Sequence, residues 1–267
     1  MQSTSISSIR KAMLGVLAAL SLAGTVAAFE STPAHADDGV IAEWSGRTRL
    51  GVAQNSWHWW GQCRVRDMNG GSWGWYLRAS TGVNAPTFRI HHGMLAGYTA
   101  TGGPGGVGCP TSDEFSWAGG VRQNFTNGFL YWRSGMSRAV AAINGRPSRY
   151  AFDRLGQAYT NETNNGRWSG WCLRFAYLAN GRKWSTTDRA IWEWNEAVRR
   201  GVAHKGDANP PAGAIVYYSW GDYGHAGISV GDGWVISTQG TMGQAQAVRI
   251  HTLNGAGLPY LGWAMPL

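Results

Sequence analysis

The stretch Gly224-His225-Ala226-Gly227-Ile228-Ser229-Val230-Gly231-Asp232-Gly233-Trp234-Val235-Ile236-Ser237-Thr238-Gln239 decides how the C-terminal half folds. Two runs of alternating apolar residues flank Gly231-Asp232-Gly233, whose residues accept the positive φ of a hairpin turn. Working outward, further strands are expected at 214–219, 247–253 and 260–265, beside those at 225–230 and 234–239. Upstream of Pro210-Pro211 the apolar period is helical. Residues 150–159 put Ala151, Phe152, Leu155, Ala158 and Tyr159 on one face, and 187–200 do the same with Ala190, Ile191, Trp194, Ala197 and Val198. Between them, Trp168-Ser169-Gly170-Trp171-Cys172-Leu173-Arg174-Phe175-Ala176 reads as a small-residue approach to a helix that begins at Cys172 and stops at Asn180-Gly181. Helices followed by a meander of strands argue an α+β fold, with helices packed on one face of an antiparallel sheet.

The N-terminus reads as a targeting segment. Arg10 and Lys11 precede an apolar run, and Ala34-His35-Ala36 supplies a small-x-small cleavage signature, so residues 1–36 are expected to be a secretory signal with Asp37 as the first mature residue. No later run is apolar enough to span a bilayer, so no stable membrane insertion is expected once the signal is removed. The formal net charge is +8. The basic residues are scattered and form no stripe or arm, which argues against a nucleic-acid partner and suits an anionic cell-envelope polymer. Three cysteines in an oxidising compartment leave one unpaired. Cys63 and Cys109 both lie in the first half, so the simplest bridge joins them and leaves Cys172 as a free thiol.

Residues 37–149 carry an internal repeat. Gly74-Trp75-Tyr76-Leu77-Arg78 is answered by Gly128-Phe129-Leu130-Tyr131-Trp132-Arg133, and Ile90-His91-His92-Gly93 by Ile143-Asn144-Gly145. Short aromatic runs between Gly, Ser and Asn clusters read as hairpins, so this domain is expected to be β-rich, with a junction at Gly145-Arg146-Pro147-Ser148-Arg149. In the second copy, Val107-Gly108-Cys109-Pro110-Thr111-Ser112-Asp113-Glu114, then Gly119-Gly120, Gln123, Phe125, Gly128 and Tyr131-Trp132, resembles the LGFP repeat of exported, wall-associated proteins. The resemblance implies a module that attaches the chain to the envelope.

Chemistry is expected in residues 150–267. A thiol at a helix start feels the positive end of the dipole, which favours the attacking thiolate, and it needs a base. His58, His91 and His92 fall in the repeats, His204 in a polar loop and His251 on a late strand. His225 begins a strand after a glycine-rich approach and is followed by small Ala226 and Gly227, which would leave room for a substrate backbone. Cys172 at its helix start, the strand after Pro211, and Gly224-His225-Ala226-Gly227-Ile228 through Gly233 resemble the NlpC-type and CHAP-type peptidases. Ala214 stands where many members have Asp. The resemblance implies a papain-like domain cleaving peptidoglycan amide bonds, with Cys172 as nucleophile and His225 as base.

The third residue stays open. A three-residue loop at 231–233 would set Val230 opposite Trp234, Gly227 opposite Ser237 and His225 opposite Gln239, whereas a two-residue loop would bring Thr238 to the histidine's side. Gln239 reaches an imidazole better than Ser237, which occupies the family's usual spacing. The backbone N–H of Cys172 is the expected oxyanion donor. No HExxH, CxxC or phosphate-cradling glycine loop is present, so neither a metal nor a cofactor is expected. The expected function is a secreted cysteine peptidase or amidase of peptidoglycan. The alternatives are a non-catalytic wall-binding protein on the same scaffold and an acyl transferase using the same cysteine.

Overall fold

The computed structural model describes residues 52–56, 58–69, 74–78, 88–183, 185, 187–238 and 247–267. The expected secretory segment and Gln239 lie outside them. The first unit holds β1 (Val52–Ala53), β2 (His58–Trp60), β3 (Cys63–Asn69), β4 (Gly74–Arg78) and β5 (Phe88–His91), followed by α1 (His92–Ala100). The second holds β6 (Phe115–Trp117), β7 (Gly120–Phe125), β8 (Gly128–Trp132) and β9 (Val140–Ile143), followed by α2 (Pro147–Phe152). Their sheets share one plan: β3-β4-β5 and β7-β8-β9 are antiparallel meanders, each running into a helix. The segments repeated in the sequence, beginning at Gly74 and Gly128, are the middle strands.

Alternation along the second sheet explains how it is used. On β8, Phe129 and Tyr131 point one way and Leu130 the other; on β9, Val140 and Ala142 oppose Ala141 and Ile143. Leu130, with Val107, Cys109 and Phe125, packs on Val65, Ile90, Met94 and Tyr98 of the first unit. Phe129, Tyr131, Val140 and Ala142 share a core with Phe152, Trp168 and Phe175. Period-two strands that are apolar on both faces need cover on both. One continuous core therefore crosses the junction expected at residue 149. A bond between Cys63 and Cys109 ties the first two units together, and the Tyr98 hydroxyl beside it donates to the Gly108 carbonyl at 2.9 Å.

The helix expected over 150–159 is displaced. Pro147, inside the expected junction, is its first residue, where the missing N–H costs nothing and the fixed φ is already helical. The helix ends at Phe152 because the chain just beyond it pairs elsewhere: Gly156 N–H donates to the Val248 carbonyl, and Val248 N–H donates to that of Gln157, both at 2.9 Å. Tertiary pairing overrides the local helical period.

The C-terminal unit contains α3 (Cys172–Ala179), α4 (Ala190–Arg199) and six antiparallel strands: β10 (His204–Lys205), β11 (Ile215–Tyr218), β12 (His225–Gly231), β13 (Trp234–Thr238), β14 (Val248–Thr252) and β15 (Tyr260–Ala264), in the order β10-β15-β11-β12-β13-β14. The expected strands are present within a few residues at each end, and β10 is an addition. Helices cover one face, over Ile215, Tyr217, Ala226, Ile228, Ile236 and Ile250. The other face carries Val216, Tyr218, Val235 and Trp263, closed by Leu253 and the chain around Ala256, Leu258 and Tyr260. The molecule is thus mixed helix and sheet, mostly antiparallel. Among the described residues no helix is long and apolar enough to cross a membrane.

Candidate functional site

Cys172 opens α3 behind Trp171, which leads into the helix with no side-chain cap. The buried residues Phe175, Ala176 and Ala179 hold this helix on the sheet, with Phe175 edge-on to buried Trp168 at 5.2 Å. Cys172 itself is half-buried and free of any disulfide. Burial pushes its thiol above the ordinary value, opposed by the backbone N–H groups of Ala226, Leu173 and Cys172 turned toward the sulfur. The nearness of Ala226 sets the sulfur beside the peptide that joins it to His225, although the two residues are far apart in the chain.

His225 opens β12. Its approach is fixed by Gly224, where a Cβ would meet the Ile191 backbone nitrogen at 2.7 Å, so only glycine fits against the start of α4. His225 pairs with Tyr218 across the sheet. Because Ala226, Ile228 and Val230 face the helices, alternation puts the imidazole on the opposite face, 5.9 Å from the Tyr218 ring and 6.4 Å from that of Trp220. The residue is buried, its Nε2 has no hydrogen-bond partner, and burial, then the neighbouring His251, pushes its pKa down to about 4. Resting thiol and imidazole are both neutral. Desolvation of the thiol thus opposes the thiolate that a helix start is expected to favour.

The hairpin has a two-residue turn, since Asp232 and Gly233 both take positive φ and Gly231 pairs with Trp234. A register shift between Ser229 and Gly231 leaves Val230 as an extra residue, so beyond it Gly227 still faces Ser237. The expected Val230–Trp234 pairing is therefore not formed, while the parity expected of a longer loop is restored by the bulge. The space at Gly227 is not free for a substrate either. A Cβ there would lie 2.6 Å from Val235 Cγ1 and 2.9 Å from Ser237 Cβ, so the neighbouring strand already fills it.

Ser237 is fully buried and committed to another imidazole. His251 Nδ1–H donates to the Thr252 carbonyl at 2.8 Å, which leaves Nε2 as acceptor for the Ser237 hydroxyl at 2.9 Å. His251, passed over as a late-strand residue, thus joins His225, Tyr218 and Ser237 in one polar group on the face away from the helices. The alternation of Val248 and Ile250 toward the core was the only sequence signal for its orientation. Its neighbour across the strands is not legible locally, because it depends on the β13–β14 register, Val235 opposite His251. Among the described residues, no group of His, Cys, Asp and Glu side chains is arranged to hold a metal ion.

The fold defines a two-unit β module sharing its core with an α+β unit that carries a free cysteine at a helix start. Within it, residues 107–158 match the LGFP repeat. The match ends past Phe152, in keeping with the way α2 completes the second sheet's core. No curated protein matches the chain.

Proposed function

We propose that this is a secreted cysteine hydrolase of the NlpC/CHAP type, papain-like in its C-terminal unit, cleaving amide bonds in peptidoglycan peptides and held at the wall by its LGFP repeat. The observation that carries the reading is the free Cys172 sulfur at the first turn of α3, beside the His225–Ala226 peptide. In this reading the thiol attacks the amide carbon as its proton passes to the imidazole of His225, which must turn from the far face of the sheet to receive it. Backbone N–H groups at the helix start hold the oxyanion. The amine leaves with the imidazolium proton, and water then hydrolyses the thioester. Because both groups rest neutral, proton transfer accompanies attack, and no ion pair waits beforehand. Gln239 or Ser237 would be the third residue, with the Ser237 hydroxyl given to His251 rather than to His225 in this structure.

Cys172→Ala should abolish release of peptides from purified peptidoglycan, read by mass spectrometry, while leaving the circular dichroism spectrum unchanged. Undiminished release would sink the assignment. One observation favours a second reading, a non-catalytic wall-binding protein: His225 sits on the sheet face opposite Cys172 and makes no side-chain hydrogen bond to it. An acyl transferase would be distinguished by amine-adduct masses among the products.

A further inference from the structure

Arg189 stands just before α4, with its backbone extended. Its guanidinium carbon lies 4.2 Å from the ring centroid of Trp192 and 4.7 Å from that of Tyr223. Trp192 is three residues on, the spacing that stacks side chains along a helix. Tyr223 is held from the other side by the Ile191 N–H, which donates to the Tyr223 carbonyl at 3.0 Å. Both rings are about half exposed, at 48% and 50%, so the cluster faces solvent.

Stacking uses the face of a guanidinium and leaves its in-plane N–H fork free. Here the Nε is buried with no hydrogen-bond partner, and among the described residues Arg189 forms no ion pair, although Asp188 precedes it and Asp222 precedes Tyr223 in the chain. With its Nε edge buried, the terminal Nη edge of this cation between two aromatic rings suits one class of ligand group, a planar carboxylate bound bidentately. Tyr223 is two residues before His225, on the loop that leads into the candidate site.

We infer that Arg189, braced by Trp192 and Tyr223, is a specificity-determining residue that takes a free carboxylate of the peptide substrate. The inference rests on the hydrolase reading for its substrate, but its binding test does not need turnover. In the full-length mature Cys172→Ala protein, tryptophan fluorescence is titrated with a peptidoglycan stem peptide bearing free carboxylates, and with the same peptide amidated. The free-acid peptide should bind more tightly. Arg189→Gln should weaken it roughly 10- to 100-fold and leave the amidated peptide unchanged, and Arg189→Lys, which keeps charge without the fork, should fall between. Near-UV circular dichroism checks that each variant is folded. Equal affinity of the parent for the two peptides, or a loss in Arg189→Gln that is the same for both, would overturn the inference. The same peptides are then given to proteins with Cys172 intact. Selective binding without any cleavage overturns the hydrolase reading alone, and cleavage that ignores Arg189→Gln on the free acid overturns the role of Arg189 alone.

Discussion

Truncating Phe152 to alanine tests whether the repeat module and the α+β unit are one folding unit. The ring is fully buried and meets Phe129 at 5.4 Å, Tyr131 at 5.3 Å and Trp117 at 6.3 Å, all across the expected domain junction. Its helix also packs on the side of the core that holds Trp168 and Phe175. Deleting a fully buried phenylalanine costs about 3–5 kcal/mol, combining lost transfer energy with the cavity left behind. Rings at these separations put this site toward the upper half of that range. For a chain of this size the loss lowers Tm by roughly 8–20 °C. Urea unfolding would be followed by tryptophan fluorescence and, separately, by pulsed alkylation of Cys172, which lies in the other unit. If the core is continuous, both probes shift together and by the same free energy. A fluorescence shift with the Cys172 transition left in place, or a loss under about 1 kcal/mol, would refute the single-core argument. A fragment ending at residue 149 should expose Phe129, Tyr131, Val140 and Ala142 and aggregate, so wall-binding assays belong on the whole chain.

Three further outcomes follow from the site. With burial raising the Cys172 thiol, iodoacetamide labelling of the folded protein should be slow at pH 6 and climb through and beyond the ordinary thiol range; a fast plateau at mildly acid pH would show an ion pair with His225 instead. His225, held down to about 4 against an unfolded value near 6.5, should destabilise the fold as pH drops from about 6.5 toward 4, by about 3 kcal/mol in all. The sign is set by the unfolded state binding the extra proton. Buried Glu193, raised to about 7 chiefly by burial and hydrogen-bonded by the Tyr177 hydroxyl, opposes this, because its protonated folded form favours stability at lower pH. Glu193→Gln should therefore steepen the acid loss measured by urea titration at several pH values, and His225→Gln should flatten it. Gly227→Ala should cost about 1–3 kcal/mol from overpacking against Val235 and Ser237; a neutral result by thermal melt would mean that β12 and β13 can part at that point.

Much of the fold was legible because it is written in short-range chemistry. The alternation in β11 through β15, the glycine-bearing turn at Asp232-Gly233 and the helix start at Cys172 each depend on neighbours a few residues away, and each can be found in the chain. The repeated Gly74 and Gly128 segments likewise announce two similar sheets. The sequence alone also singled out Cys63, Cys109 and Cys172, whose count and spacing constrain the bridge that the structure closes. Tertiary structure decided the rest, because it depends on which surfaces meet. Pro147 starts a helix, and that helix stops at Phe152 since residues 156 and 157 pair with β14. The second sheet is buried twice because two separate units cover it. Sheet order sets His225 among Tyr218, Ser237 and His251, and burial disfavours both a thiolate at Cys172 and a charged ring at His225. Local pattern says what each strand is; only packing sets which charges it can keep.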